Sequence, residues 1–490
     1  MAPRKKRKSA PPETVSTTVH DLPDSLLQYV LSFLPAQAAV RTCVLARRWR
    51  HLWRSTTGLR IVGLDDDEEN VPVQDLRKFV EHLLMLRERT DLESVEMKFY
   101  SCSEGEMPYV NLWIRFAVIC KVRVLTLHIL EDDYLPLDDM PLVSLHLKTL
   151  DLYGLILQKS FLDFASCPAL ENLKMNDCKI NGWKISSLSL KHLSITSCFC
   201  DPDSRLRIST PGLVSLKLDC FVGKTPFLEN MPLLQTACVN LGKGCKDVCL
   251  NYNSGVFCGA NKNGCGNCLS KNDGRSNSVL LGGMSSAKHL ELISELGKFI
   301  FTRDLNCRPT FSKLKTLLLN EYWCEAPDLG PLACILQNSP VLEKLTLQLF
   351  SKGPDHKVEM KGRYSPMEGP SAISEHLNMV EVKCNVVDEK ILKVLKLLSA
   401  FNIHDLGSHA MKTNTSPTRG KFTWTAKISK RGSLRDSLKD QRVVLGQASA
   451  GDGDHRGDVD DGAGTKPPGE PATSSSPSNP RRGRSINLCK

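Results

Sequence analysis

The sequence lacks an apolar run long enough to cross a membrane, since a spanning helix needs about 18 consecutive apolar residues and no stretch of its 490 residues is that long. It also lacks the apolar core of a secretory signal, because residues 1–9 are basic and residues 10–20 are polar. A strong charge imbalance is absent too: 64 basic and 54 acidic residues leave a net charge of +10. We therefore expect no membrane partner and no direct binding of nucleic acid.

Catalytic motifs are missing as well. The sequence contains no Walker-type phosphate loop, no G-x-S-x-G elbow and no H-E-x-x-H zinc motif. Its histidines, which include His128, His192 and His289, are scattered along the chain. An enzyme needs catalytic groups that converge in one pocket, so we expect a non-catalytic protein without a cofactor.

Leucine recurs in a regular pattern through the middle of the chain. The pattern is L-x-x-L-x-L with some exchange of apolar residues, and apart from one gap its copies begin 20 to 28 residues apart. This spacing is typical of leucine-rich repeats. The copies are Val122-Leu125-Leu127, Leu147-Leu150-Leu152, Leu170-Leu173-Met175, Leu190-Leu193-Ile195, Leu213-Leu216-Leu218, Ala287-Leu290-Leu292, Leu314-Leu317-Leu319 and Leu342-Leu345-Leu347.

Each copy predicts one strand of a larger sheet. The last two apolar residues of a copy lie on the same face of a strand, and a single strand cannot bury that face, so neighbouring repeats must stack. The sequence therefore predicts a curved solenoid with a parallel sheet. Its outward polar positions, such as Lys174, Ser194 and Lys217, form an extended binding surface. A leucine-rich α/β protein of another kind is the alternative.

A dense apolar stretch, LPDSLLQYVLSFLPAQAAVRTCVLARRWRHLW, precedes the repeats at residues 22–53. Pro23 and Asp24 suit the first turn of a helix. The apolar residues between Leu26 and Leu34 then form one broad stripe, and Pro35 stops the helix. Two shorter stripes follow, so we predict three short helices. Such a small unit cannot bury all of its apolar surface alone, and part of that surface must contact the repeats or another protein.

This stretch resembles an F-box in its plant form. It matches LPD-x-LL-x-x-[IV]-LSFLP-x-x-x-AVRT-x-VL-x-RRWR-x-LW at nearly every fixed position, with Ala46 where a serine is usual. The resemblance implies docking onto a Skp-family adaptor and, through it, onto the cullin and the RING subunit of an SCF-type ubiquitin ligase. The residues implied either for adaptor contact or for the core of the F-box are Leu22, Pro23, Leu26, Leu27, Val30, Leu31, Leu34, Pro35, Val40, Val44, Trp49, Leu52 and Trp53.

The resemblance covers roughly residues 20–404, because an F-box followed by degenerate leucine-rich repeats is the order found in plant F-box/LRR-repeat proteins. FSKLKTLLLNEYW and SPVLEKLTLQLF are similar to the last repeats of that family, and MVEVKCNVVDEKILKVLKLLSAFNI is similar to the segment where many members end. Two other roles stay open for residues 22–53. The helices could cap the first repeat, or the arginines from Arg41 to Arg54 could bind DNA phosphates.

We therefore predict an α/β protein in five parts. Residues 1–19 and 405–490 are disordered tails, because they are polar and contain few apolar residues. Residues 20–56 form the three-helix F-box, and residues 57–120 form a linker and a helical lead-in with apolar residues at helical spacing. Residues 121–404 form the leucine-rich-repeat solenoid.

A Cys- and Gly-rich insertion at residues 242–283 interrupts the repeats. We favour a long loop with unligated thiols there, because a second well-spaced C-x2-C pair is absent. Other cysteines, such as Cys120, Cys167 and Cys178, lie among apolar residues and are predicted to pack as small hydrophobic side chains. The weak candidates for a zinc site in the insertion are Cys245, Cys249, Cys265 and Cys268.

Five consecutive basic residues near the N-terminus, Arg4, Lys5, Lys6, Arg7 and Lys8, predict a nuclear-import signal, with a solvated basic tail as the alternative. We expect the nucleus, with the cytoplasm as a second location. The sequence and the resemblance together predict a substrate-recognition subunit of an SCF-type ubiquitin ligase, whose repeats bind an unknown target protein. The alternative is a nuclear protein-interaction scaffold without a ligase.

Overall fold

The computed structural model describes residues 22–63, 72–100, 102–130, 133–247, 278–295, 300–305, 307–324, 329–350, 374–384, 389–400, 410–412 and 422–427. The chain forms two compact units, Met1–Asp201 and Pro202–Lys490, and each is described by itself. The predicted leader, most of the predicted C-terminal tail and most of the Cys-rich insertion lie outside the described residues.

The first unit begins with two short α-helices, α1 (Asp24–Leu31) and α2 (Ala36–Arg41). Pro35 directly precedes α2, and α1 already ends at Leu31, so the prediction that Pro35 stops the first helix was wrong. The third predicted helix is replaced by short 3-10 turns at Arg47–Arg50 and Leu52–Ser55. The reason is local, because the backbone is extended at Ala46 and leaves the helical region again at His51, between the two turns.

The rest of the first unit alternates strands with helices or loops. The strands β1, β2, β3, β5, β7 and β10 form a main sheet in that order, and the pairs between them are parallel. A second sheet contains β4, β6, β8 and β11. The elements are β1 (Gly58–Val62), α3 (Val73–Leu86), β2 (Ser94–Phe99), α4 (Met107–Ile119), β3 (Val124–Ile129), β4 (Leu135–Pro136), β5 (Thr149–Tyr153), β6 (Leu155–Gln158), β7 (Asn172–Asn176), β8 (Lys179–Asn181), β9 (Lys184–Ser186), β10 (His192–Thr196) and β11 (Phe199–Cys200).

The second unit continues the alternation and closes with an antiparallel pair. The strands β13, β15, β16, β17, β18 and β19 pair in parallel in that order, and β21 pairs antiparallel with β19. The elements are β12 (Arg207–Ser209), β13 (Ser215–Asp219), β14 (Phe227–Leu228), β15 (Thr236–Leu241), β16 (His289–Ser294), α5 (Ile300–Leu305), β17 (Thr316–Asn320), α6 (Gly330–Gln337), β18 (Lys344–Leu349), β19 (Met379–Cys384), α7 (Glu389–Ala400), β20 (Ala410–Lys412) and β21 (Phe422–Lys427).

The predicted repeats form the core of both units. In the first unit Leu125, Leu150, Leu173 and Leu193 lie opposite one another in neighbouring strands, and all are buried. Full burial of a leucine side chain stabilises a fold by about 1.5–3 kcal/mol. Each strand therefore gains its stability from the next strand, as the prediction of stacked repeats requires. This confirms the predicted parallel sheet.

The parallel sheet begins earlier in the chain than the sequence analysis placed it. Strands β1 and β2 lie within the predicted linker and helical lead-in, and Leu59 pairs in register with Val95, which pairs with Leu125. The missed signal is the alternation of SVEMKF, in which Val95, Met97 and Phe99 are buried. At the other end, β20 and β21 lie within the predicted disordered tail.

Several cysteines serve as buried packing residues, as predicted. Cys120, Cys167 and Cys178 are buried. The Cys198 thiol donates to the carbonyl oxygen of Met175 in the preceding repeat at 3.4 Å. Burial and the neighbouring Cys178 raise the pKa of the Cys198 thiol well above its usual range. A thiol in that state is a poor nucleophile, so these cysteines have a structural role.

Two anchored points of the second unit flank the stretch 248–277 of the Cys-rich insertion. Before it, Asp247 accepts hydrogen bonds from Arg205 Nη2 at 2.5 Å and from the Thr225 backbone N–H at 2.7 Å. After it, the Val279 carbonyl accepts a hydrogen bond from the Leu228 N–H at 2.8 Å. Thr225 and Leu228 are three residues apart, which is about 10 Å of extended chain. The two ends of the insertion therefore lie close together on one segment.

We expect the second unit to fold without the insertion. Replacing residues 248–277 with a short Gly-Ser linker keeps both anchors and the direct parallel pairing of β15 with β16, and loop length alone changes stability little. The thermal midpoint should then stay within about 3 °C of the parent value. A deletion extended through Leu281 removes the second anchor and should unfold this unit. Equal stability of the two deletion variants would show that the anchors are unimportant.

Candidate functional site

Helix α1 has two different apolar faces. Leu27 and Leu31 are buried, and α1 packs on the turn Leu52–Ser55. The adjacent face remains in solvent, with Leu26 48% exposed and Val30 51% exposed. The sequence alone predicts one stripe for these residues, and the structure divides it in two.

The solvent-facing side of α1 is extended by two aromatic residues that the sequence analysis did not single out. Tyr29 and Phe33 are exposed, and their rings meet edge to face with centroids 4.9 Å apart. We call Leu26, Tyr29, Val30 and Phe33 the docking face. Its spacing of i, i+3, i+4 and i+7 is that of a helix stripe, displaced by one residue from the buried stripe. Such an exposed apolar face is typical of a protein-binding surface.

A groove lies on the segment that follows α2. It has a volume of about 610 Å³ and combines an apolar lining with two arginines. Val44 in this groove is 83% exposed. The lining residues are Val40, Cys43, Val44, Ala46, Arg47, Arg50 and Trp53.

The arginines between Arg47 and Arg54 make different contacts. Arg48 forms an ion pair with Asp24 at 2.6 Å and donates to the Leu22 carbonyl at 2.5 Å, so it ties the start of α1 to the 3-10 turn Arg47–Arg50. The Arg54 guanidinium lies 5.6 Å from the Trp53 ring centroid. Arg47 and Arg50 line the groove beside apolar side chains. The arginines are therefore distributed over several contacts.

The N-terminal helices also pack on the sheet, so the capping role left open by the sequence has structural support alongside the docking face. Helix α2 contacts β1. At Gly58, the first residue of β1, an added Cβ would lie 2.8 Å from Ser32 Cβ and 2.9 Å from the Ser32 carbonyl oxygen. The absence of a side chain there permits the close approach. The docking face is thus carried on a segment fixed to the first strand.

One buried cation joins the end of this segment to helix α3. Arg87 follows α3 and donates from Nη1 to the Thr56 hydroxyl at 2.8 Å, and from Nη2 to the Thr56 carbonyl. Burial lowers the pKa of the Arg87 guanidinium to about 10, so it stays protonated at neutral pH. The Thr56 carbonyl lies at the C-terminal end of the turn Leu52–Ser55, where a positive charge is favoured.

We expect Arg87→Met to weaken the contact between Thr56 and the end of α3. The Thr56 hydroxyl and carbonyl lose their buried donor, which costs about 1–3 kcal/mol of unfolding free energy, and amide exchange at residues 53–58 should become faster. Arg89→Met is the matched control, because Arg89 is exposed and its loss should change stability by less than about 0.5 kcal/mol. Urea unfolding and hydrogen exchange measure both effects. Equal results for the two variants would contradict the assigned role of Arg87.

The structure separates the sequence-predicted residues by burial. Their assignment to adaptor contact or to the core stays a prediction, but burial now limits it. Those with buried side chains are Leu27, Leu31, Trp49, Leu52 and Trp53. Those with half-buried side chains are Leu22, Leu34, Pro35 and Val40. Those with exposed side chains are Pro23, Leu26, Val30 and Val44.

The other predicted sites fall mostly outside the described residues. This holds for the basic run Arg4–Lys8 and for Cys249, Cys265 and Cys268. Cys245 is described and buried, with its thiol 3.4 Å from the Thr225 hydroxyl and 3.7 Å from Asp247 Oδ2. Within the described ranges, no three His, Cys, Asp or Glu side chains are grouped to hold a metal ion, and no helix is long and apolar enough to cross a membrane.

Comparison with known proteins gives matches to the N-terminal segment and to longer parts of the chain. Residues 19–59 match the F-box domain family, whose members typically bind Skp1-like adaptors and are generally non-catalytic. The meiotic F-box protein MOF of Oryza sativa subsp. japonica is 29% identical over 364 residues, which cover 67% of this chain and 70% of the relative.

Two Arabidopsis thaliana proteins that are named for leucine-rich repeats are also similar to this chain. A putative F-box/FBD/LRR-repeat protein is 30% identical over 45% of this chain and 57% of its own length. F-box/LRR-repeat protein 13 is 30% identical over 40% of this chain and 44% of its own length. The chain thus spans about half the length of these two relatives, and no solved structure gives a significant match. These plant relatives join an F-box to leucine-rich repeats, as this chain does, and the comparisons therefore support a plant F-box/LRR-repeat family for it.

Proposed function

We propose that this chain is the substrate-recognition subunit of an SCF-type E3 ubiquitin ligase. The F-box docks a Skp-family adaptor, and through it the cullin and the RING subunit. The observation that carries the proposal is the docking face, since Leu26 and Val30 stay in solvent although Leu27 and Leu31 already supply the core of α1. Burial of such an apolar surface under a partner protein is favourable, because it removes apolar atoms from water.

The chain supplies position rather than a reacting group. In the proposed complex the repeats hold a target protein while the F-box holds the ligase. The target lysines are then kept near the charged ubiquitin-conjugating enzyme at high effective concentration. The packing of α2 and Ser32 on β1 supports this function, because it ties the docking face to the first repeats.

Reconstitution tests the proposed function without a known target. The full chain is mixed with a plant Skp-family adaptor, a cullin, a RING subunit, charged ubiquitin-conjugating enzyme and ubiquitin. We expect ubiquitin on lysines of the chain itself, dependent on both the adaptor and the cullin. Adaptor binding without any cullin-dependent transfer would instead favour the second candidate, an interaction scaffold without a ligase.

We also propose that the basic run Arg4–Lys8 directs the chain to the nucleus, with the cytoplasm as a second location. A fluorescent fusion of the full chain should accumulate in plant nuclei. Changing the five residues to alanine should shift it to the cytoplasm. Unchanged nuclear accumulation would exclude this run as the signal.

A further inference from the structure

One arginine ties the end of helix α1 to the parallel sheet of the first unit. Arg60 lies in the middle of β1, between the buried residues Leu59 and Ile61, so its side chain is on the other face of the sheet. Arg60 Nη1 donates to the Phe33 carbonyl oxygen, and Arg60 Nε donates to Glu96 Oε2 at 2.5 Å. The guanidinium thus joins a residue of the docking face to the neighbouring strand β2.

Glu96 holds the Arg60 guanidinium from the side of the sheet. The two residues are direct partners in the parallel register of β1 and β2. Glu96 Oε1 also lies 2.5 Å from Lys98 Nζ, so each carboxylate oxygen has a cationic partner. Burial alone would raise the pKa of the Glu96 carboxyl, but the hydrogen bonds from Lys98 and Arg60 outweigh burial and lower that pKa. The carboxylate is therefore charged at neutral pH and fixes the orientation of the guanidinium.

The Phe33 carbonyl lies where a cationic donor is most favourable. The Phe33 and Leu34 N–H groups donate to the Val30 and Leu31 carbonyls at 3.2 and 3.1 Å, so these residues continue the last turn of α1. Carbonyls at the C-terminal end of a helix lack donors within the helix, and a positive charge is favoured beside them. Arg60 supplies both a donor and a positive charge at that end of α1.

The two ends of α1 are held by different parts of the first unit. Arg48 ties the start of α1 to the turn Arg47–Arg50, which belongs to the same N-terminal segment. The end of α1 contacts the sheet instead, through Ser32 against Gly58 and through the hydrogen bonds of Arg60. A helix that touches a sheet at one point can turn about that point, and a second bonded point restricts the turn. Arg60 therefore limits how far the docking face can turn relative to β1 and β2.

We propose that Arg60 is a positioning residue that sets the direction of the docking face relative to the repeats. Its consequence for the ligase rests on the proposed function, in which that direction decides how close the charged ubiquitin-conjugating enzyme comes to lysines on or near the repeats. A wider spread of directions lowers the effective concentration of those lysines. Loss of Arg60 should therefore slow ubiquitin transfer without weakening adaptor binding.

The distance between two spin labels on the full chain tests the positioning itself. The labels are introduced as a non-natural amino acid at Ser25 in α1 and at Asn176 in β7, which are both exposed, so the cysteines stay unmodified. The wild type should give one narrow distance distribution, and Arg60→Gln should widen it at least twofold. The thermal midpoint should stay within about 3 °C of the wild-type value, because ion pairs between partly exposed side chains contribute little to stability.

Two matched variants separate the tie to Phe33 from the loss of a charge on the sheet. Arg123→Gln removes an arginine that pairs with Glu93 at 3.4 Å in the same unit, and it should leave the distance distribution unchanged. Glu96→Gln removes the charge that orients Arg60 but leaves Arg60 able to donate to the Phe33 carbonyl. It should therefore widen the distribution less than Arg60→Gln does.

Reconstituted transfer measures the consequence for the ligase. Arg60→Gln should bind the Skp-family adaptor within threefold of the wild-type affinity by isothermal titration. With the adaptor, cullin, RING subunit and charged conjugating enzyme present, its initial rate of ubiquitin transfer to lysines of the chain should fall at least fivefold. Arg123→Gln should match the wild type in both measurements.

The two readouts distinguish failure of this inference from failure of the proposed function. Absence of cullin-dependent transfer by the wild-type chain would count against the proposed function alone, because the label distances still test the role of Arg60. The inference is overturned if Arg60→Gln leaves the distance distribution unchanged or transfers ubiquitin at the rate of an active wild type. It is also overturned if adaptor affinity falls in proportion to the transfer rate, because Arg60 would then support adaptor binding itself.

Discussion

The double variant Leu26→Asp/Val30→Asp should lose at least 100-fold in affinity for a Skp-family adaptor, which is about 2.7 kcal/mol. Both side chains are about half exposed on the docking face. The substitution removes two apolar contacts and places two carboxylates where the complex would exclude water, and unpaired buried charge is strongly unfavourable. Isothermal titration of the full chain with the adaptor measures the change.

The fold of this variant should be intact, because neither side chain belongs to the buried stripe of α1. Circular dichroism and the thermal midpoint should match the wild type. Leu233→Asp is the matched control, since it changes an equally exposed leucine in the second unit and should leave adaptor affinity within twofold. Leu27→Ala should instead lower the free energy of unfolding by about 2–5 kcal/mol, because it truncates a buried leucine. An adaptor affinity unchanged by the double aspartate variant would exclude the docking face as the contact.

Asp304→Ala should be among the most destabilising single changes in the second unit, at about 3 kcal/mol or more. The Asp304 carboxylate is buried and accepts from three consecutive backbone N–H groups, with N–O distances of 2.9, 2.6 and 2.9 Å for Val279, Leu280 and Leu281. Burial raises the pKa of this carboxyl, and the three N–H groups partly oppose the rise. Alanine leaves these donors buried without an acceptor, at about 1–3 kcal/mol each, although removal of the buried charge recovers part of the cost.

Two further variants sharpen this test by urea unfolding. Asp304→Asn keeps an acceptor oxygen but turns an amide donor toward the same N–H groups, so it should fall between the wild type and the alanine variant. Asp91→Ala removes an exposed carboxylate that is paired with Lys121 at 3.1 Å, and should cost at most about 1 kcal/mol. A loss for Asp304→Ala as small as that for Asp91→Ala would show that the bonds from Asp304 to residues 279–281 are not important for stability.

Sequence periodicity predicted the repeats because the buried positions of a parallel sheet are set by side-chain alternation. Leu150 and Leu152 are buried on one face, as the spacing L-x-L requires. The same rule failed at β15, where Ala237 stands at the leucine position. It also failed at β2, where Val95 and Met97 replace leucines and no further copies precede them in a regular series.

The candidate site was only partly predictable for a different reason. Apolar residues at Leu26 and Leu27 look alike in sequence, yet one is exposed and the other is buried. Which side of α1 faces inward depends on where the turn Leu52–Ser55 packs, and that is a tertiary contact. The hydrogen bonds of Arg87 could not be predicted from the sequence either, because they pair a residue after α3 with Thr56, thirty-one positions earlier.

Titration of the full wild-type chain with a purified plant Skp-family adaptor, beside the double variant Leu26→Asp/Val30→Asp, tests whether the docking face binds the adaptor. We expect a one-to-one complex for the wild type and at least a 100-fold weaker one for the variant at equal thermal stability. Absence of binding by folded wild-type protein would contradict it, and the N-terminal helices would then be a cap on a leucine-rich-repeat scaffold.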